Sequence, residues 1–175
     1  MQKTRFVVLK FFLYGCIAVV LCTIQNTPDL LVAAGAKPML TAAFVVAVAM
    51  FEGEFAGALT GAFGGMLCDF FSYYRFGYYA LMFFLCCLAV GLLVQGYMRP
   101  VVMNCCLFVF AAMLLSQGVA FFFVFLIRGY ESPEILFTLG ILPLCLYTAL
   151  AGIPAFYGVR ALHQWLQKKI EPAVN

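Results

Sequence analysis

Long apolar runs separated by short polar segments organise this 175-residue chain. Residues 6–24 make the first run, about the 20 residues that a helix needs to cross a hydrocarbon layer of about 30 Å. A polar stretch with Asp29, Lys37 and Pro38 follows, and proline suits the first turn of the next helix. The second run, 39–51, is short and is broken by Glu52-Gly53-Glu54 before the third, 55–71. Residues 72–76, with Arg75, form a loop, 77–94 the fourth run, and 101–127 a long fifth after a turn at 95–100. The sixth run, 134–157, carries Pro143 and Pro154, which are expected to bend it. Residues 39–71 read either as two short helices or as one over-long helix of about 50 Å.

Composition settles the solvent. Hydrophobic residues make up 66% of the chain and charged residues 10%, against about 45–50% and 25% in soluble domains. Mean hydropathy is +1.08. An all-α integral membrane protein is expected, a single domain of six spans followed by a basic amphipathic tail at 158–175. Charge placement favours six. With the N-terminus inside, Lys3, Arg5, Lys10, Arg99, Arg160, Lys168 and Lys169 are cytoplasmic and only Lys37, Arg75 and Arg128 lie outside, which obeys the positive-inside rule. Five spans would place the basic C-terminus outside. The N-terminal run has the basic start of a signal peptide, but it is long enough to span and no small-x-small cleavage site precedes Gln25, so it reads as a retained first helix.

The sharpest local pattern lies in the third run. Gly53, Gly57, Gly61 and Gly65 stand four apart, and the next step lands on Asp69. Steps of four drift by about 40° around a helix, so the segment presents a strip without side chains that ends in a carboxylate. In lipid such a strip lets another helix approach closely; Gly53 itself fits the turn better than the strip. An acid within a membrane segment is by default a functional residue. The other reading puts Asp69 within a turn of the loop, snorkelling or paired with Arg75, and on that reading Asp69→Asn leaves folding largely intact. Glu52 and Glu54 are expected to be solvated turn residues, with contact to a cytoplasmic partner as the alternative. Glu131 and Glu134 flank Pro133 and, with Ser132 as N-cap, are expected to cap the sixth helix. His163 falls in the tail, where Trp165 resembles an interfacial anchor, and is expected on the surface.

Chemistry finds little to work with. The eight cysteines all lie in apolar runs without a C-x-x-C spacing and read as small hydrophobic fillers. One histidine and no H-E-x-x-H leave hydrolytic metal without ligands; there is no G-x-S-x-G, Ser116-Gln117-Gly118 being a superficial echo, and no nucleotide-binding glycine loop. The expectation is a protein without catalytic, cofactor-binding or metal-binding residues, whose helix-packing positions are Gly57, Gly61, Gly64 and Gly65 and whose contact residues are drawn from Asp69, Glu52, Glu54 and Arg75.

Taken together, Lys37-Pro38, Phe51-Glu52-Gly53-Glu54, Gly57-x-x-x-Gly61-x-x-Gly64-Gly65-Met66-Leu67-x-Asp69, Phe76-Gly77 and Ala80-Leu81 resemble the bacterial rod shape-determining MreD family. Its signature is a glycine-spaced helix ending in G-[LM]-L-x-D, a short loop and a second glycine. The motif-like part covers residues 37–81; length, six apolar runs and a basic tail extend the likeness to the whole chain. Met66 stands where leucine is usual, and the Glu52/Glu54 turn has no family role to carry over. The resemblance implies a non-enzymatic subunit of the elongation machinery in the bacterial cytoplasmic membrane, both termini cytoplasmic. It would bind the single-span protein MreC and, through it, help couple MreB filaments to RodA and a penicillin-binding transpeptidase, among membrane lipids and with no nucleic acid. It also implies a fold similar to the substrate-binding S component of energy-coupling-factor transporters, which supplies the alternative function: capture of a vitamin or metal in a polar outward pocket built from residues such as Gln25, Asn26, Asp29, Tyr73 and Tyr74.

Overall fold

A computed structural model describes residues 2–27, 37–72, 77–128 and 140–170. Arg75, Asp29, Tyr73, Tyr74 and the Glu131–Glu134 cap fall outside the described residues. Among those described there are six helices: α1 (Gln2–Asn26), α2 (Leu40–Glu52), α3 (Glu54–Phe70), α4 (Tyr78–Gly96), α5 (Val102–Arg128) and α6 (Leu142–Ile170). Four contain apolar windows long enough to cross a membrane: Leu9–Asn26, Tyr78–Gly96, Val102–Phe123 and Leu142–Gln167. Among the described residues the regular structure is thus all helical, with the helices of a multi-pass membrane protein.

Residues 39–71 are two helices. Gly53 separates them with φ +88°, closing α2 and opening α3 in one residue. Only glycine takes that backbone without strain, and a side chain there would also have to displace the Gln95 side-chain amide of α4. At 13 and 17 residues these helices reach only about 20 and 25 Å. Of the two, α2 is the enclosed one. Every residue of α2 from Thr41 to Met50 is buried, because a helix apolar all round needs neighbours on every side. The other helices pack about it, with Tyr14 of α1, Phe83 of α4, Met113 of α5 and Phe156 of α6 in the shared core.

Successive helices run in opposite directions. One end of the bundle gathers Gln25, Thr41, Cys68, Asp69, Tyr79, Gln117 and Thr148; the other gathers Lys10, Glu52, Glu54, Gly91 and His163. Residues 158–170 continue α6 as one helix, and Val159 and Leu166 are buried against the bundle.

Candidate functional site: a glycine-packed hairpin between two carboxylates

The glycine strip serves two neighbours. A Cβ on Gly57 would lie 2.6 Å from Ala49 Cα, and one on Gly64 would lie 2.6 Å from Val45 Cγ1, both on α2. On Gly61 it would lie 2.6 Å from the Phe83 carbonyl oxygen and 2.8 Å from Cys87 Sγ, and on Gly65 it would collide with the Tyr79 carbonyl and lie 2.6 Å from Ala80 Cα, all on α4. The helical repeat explains the split: Gly57 and Gly64 are seven apart and nearly coincide in direction, whereas Gly61 and Gly65 are turned from them by roughly 70° on average. Gly91 completes the contact from the other side, where a Cβ would lie 2.6 Å from Glu54 Cα. In this way α3 is wedged, backbone against backbone, between α2 and α4.

Asp69 ends the strip and is buried at 3% exposure. Its Oδ2 accepts from the Gly77 and Ala80 amides at 3.0 Å each, and Oδ1 accepts from the Tyr79 amide at 2.9 Å. These are orphan N–H groups at the start of α4, which any helix must satisfy. Gly77 occupies the N-cap position without a side chain of its own, and φ +94° turns its amide toward the carboxylate. Asp69 therefore caps α4 from the preceding helix, where the positive end of the helix dipole favours an anion. This corrects the expectation of a snorkelling residue: the carboxylate points into the bundle, to donors that backbone geometry supplies, while the expected pairing with Arg75 lies outside the described residues.

Around it, other polar side chains are also engaged. Gln25 Oε1 accepts from the Thr41 amide and hydroxyl at 3.1 Å each, and its Nε2 lies 3.6 Å from Cys68 Sγ. Thr148 Oγ1 accepts from the Met39 amide at 3.1 Å and donates to the Leu144 carbonyl at 2.8 Å. Gln117 Nε2 donates to the Tyr79 hydroxyl at 3.4 Å, and Ser116 Oγ donates to the Met113 carbonyl at 3.1 Å.

At the opposite end Glu52 is enclosed rather than solvated. Its Oε2 lies 2.6 Å from Lys10 Nζ, and its Oε1 accepts from the Tyr14 hydroxyl at 2.7 Å and from His163 Nδ1 at 2.8 Å. An ionised carboxylate can only accept, so Nδ1 carries the proton facing it. The His163 side chain is 15% exposed and its ring lies 5.6 Å from that of Phe51, so the histidine expected at the surface belongs to this node. Glu54 sits in the first turn of α3, where a carboxylate suits the helix dipole.

Lys10, Tyr14 and His163 escaped the sequence reading. Lys10 did leave a signal, a charge eight residues into an apolar helix, since such charges are rarely without a partner. The eight cysteines are all free. No protein-family model matches the chain, and no curated protein or solved structure is significantly similar to it.

Proposed function

We propose that this chain is a non-enzymatic membrane subunit of the bacterial elongation complex, an MreD-like protein that spans the cytoplasmic membrane six times and binds an MreC-like single-span partner. Through that partner it helps organise MreB, RodA and a penicillin-binding transpeptidase. The observation that carries the reading is the joint use of the signature residues. Gly57, Gly61, Gly64 and Gly65 bring α3 into backbone contact with α2 and α4, and Asp69 with Gly77 fixes the α3–α4 connection. Residues that serve shape in this way suit a scaffold. Six helices of alternating direction, together with the excess of Lys and Arg on the Glu52 side, support both termini being cytoplasmic.

An energy-coupling-factor S component, the alternative that the MreD resemblance carries with it, finds less support. Ligand capture needs polar groups directed into a pocket, and at the Asp69 end Gln25, Thr41, Asp69 and Thr148 bond to the protein's own backbone or to one another. The deciding experiment is affinity purification of the detergent-solubilised chain co-expressed with a tagged MreC-like protein. Stable co-elution is expected. Recovery with a bound vitamin and no partner would reject the assignment.

A further inference from the structure

Cysteine in a helix core is ordinarily a small filler, and several of the eight here fit that use. Cys86 and Cys87 are adjacent on one helix, as are Cys105 and Cys106, so within each pair the side chains point about 100° apart. Cys22 and Cys68 differ. They come from separate helices, α1 and α3, are 2% and 3% exposed, and their thiols hydrogen-bond to each other. Each sulfur also has an amide donor: Gln25 Nε2 lies 3.6 Å from Cys68 Sγ, and Asn26 Nδ2 lies 3.5 Å from Cys22 Sγ. The Thr41 hydroxyl reaches both sulfurs. A filler needs none of these partners.

The place of the pair makes it reachable despite its burial. Cys22 lies one turn before the end of α1 at Asn26, and Cys68 lies two residues before the end of α3 at Phe70. Asn26 is exposed. Helix ends open locally at far less cost than the whole bundle, so a frayed turn is enough to uncover the sulfurs. Elsewhere along α1 the packing is incomplete. An apolar groove of about 670 Å³ runs between α1, α2 and α3, lined in part by Phe12, Gly15 and Val19 of α1 and by Leu59 and Phe63 of α3. A covalent tie between α1 and α3 would therefore hold a contact that side-chain packing leaves partly open.

We propose that Cys22 and Cys68 are a redox pair that closes to a disulfide and staples α1 to α3. The oxidant is itself a disulfide, that of a dithiol oxidoreductase or of glutathione. Cys22, as thiolate, attacks one of its sulfurs, forming a mixed disulfide and expelling one thiolate. Cys68 then attacks Cys22 Sγ, and the second thiolate leaves. In sum one S–S bond breaks and one forms, two electrons pass to the oxidant, and the two protons of the pair end on its sulfurs. In the proposed orientation the pair lies on the outer side of the membrane, where disulfides form and persist. That placement rests on the proposed function; the contact between the thiols does not.

The test treats the full chain in detergent with oxidised glutathione, blocks the remaining thiols with N-ethylmaleimide and identifies linked peptides by mass spectrometry. A Cys22–Cys68 link is expected to exceed every other cysteine pair by about tenfold or more, the advantage of fixed proximity over random encounter. It should lose that lead when the chain is oxidised after unfolding in SDS. Oxidation is expected to raise the unfolding midpoint by about 5 °C or more, and Cys22→Ser and Cys68→Ala should each abolish the rise. If these variants do not accumulate, the reduced and oxidised parent decide between them. No Cys22–Cys68 link, or one no commoner than the others, overturns the pair. A link that leaves the midpoint unchanged or lowers it overturns the staple. Blocking thiols in intact cells before extraction separates this inference from the orientation: a pair that links once purified but is reduced in cells keeps the staple and counts against the outward placement.

Discussion

Asp69→Asn separates a capping role from a surface one. The carboxylate receives three backbone N–H bonds, two on Oδ2 and one on Oδ1. An asparagine keeps one acceptor. Its better orientation places the oxygen before Gly77 and Ala80, which turns the amide NH2 against the Tyr79 N–H, donor to donor. That loses one bond to a charged acceptor, about 1.5–3 kcal/mol, and the interaction of a full charge with the α4 dipole, about 0.3–1 kcal/mol. The sum is about 2–4 kcal/mol, and at 2–4 °C per kcal/mol for a chain of this size it lowers the unfolding midpoint by about 5–15 °C. Asp69→Ala orphans three donors and costs more, a large part of a total stability of about 5–15 kcal/mol.

The measurement is thermal unfolding in detergent followed by circular dichroism, with hydrogen exchange read at the first turn of α4. Faster exchange at residues 77–81 is expected even where the midpoint shift is small, because the first turn of α4 loses its acceptor directly. An Asp69→Asn protein that unfolds within about 1 °C of the parent and keeps those amides equally protected would refute the capping argument. It would return Asp69 to the role expected from sequence, in which the amide is harmless.

Two further predictions concern the strip and the far node. Gly61→Leu and Gly65→Leu are expected to prevent stable assembly of the bundle, and even Gly57→Ala should cost about 1–3 kcal/mol as overpacking against the α2 backbone. Gly118→Ala on α5, where nothing lies within 4 Å, should be neutral or slightly stabilising; normal accumulation and midpoint of both leucine variants in detergent would sink the close-packing account. At Glu52, Glu52→Gln keeps the side chain's shape but removes the charge opposite Lys10, and loss of one member of a buried ion pair is expected to cost about 3–5 kcal/mol. Thermal unfolding in detergent should show a lowered midpoint for Glu52→Gln, and a midpoint equal to the parent's would contradict the pairing.

How far these features could be read from the sequence depends on how local their causes are. The break at Gly53 and the strip from Gly57 to Gly65 repeat at helical spacing within one segment, and the acid at Asp69 continues the same step. Periodicity reports that a face is small, but not how many neighbours use it. The division between α2 and α4 depends on the rotation between Gly57/Gly64 and Gly61/Gly65 and on both partners being adjacent to α3 in sequence, so that short connections hold them on either side. The cap of Asp69 on α4 was within reach for the same reason. It spans eight to eleven residues, and a glycine at the N-cap leaves the helix start in need of an acceptor from elsewhere.

The Glu52 node has no such local cause. Its members lie 38 residues apart for Tyr14 and 111 apart for His163, and nothing in the pattern around His163 distinguishes a buried imidazole from one on an amphipathic tail. What unites them is a physical necessity rather than a motif. A lysine inside an apolar helix and a glutamate at the end of a buried one each need a partner, because an unpaired charge there costs several kcal/mol, about 3–5 when one member of a buried pair is removed. Once α1 and α2 are antiparallel neighbours, Lys10 and Glu52 reach the same level and the pairing follows. His163 is different, since the pair is already neutral without it. A third helix bonded to a satisfied ion pair adds little that charge balance requires; α6 reaches that level because Phe156 and Val159 seat it in the shared core, a cause that no local pattern around His163 carries.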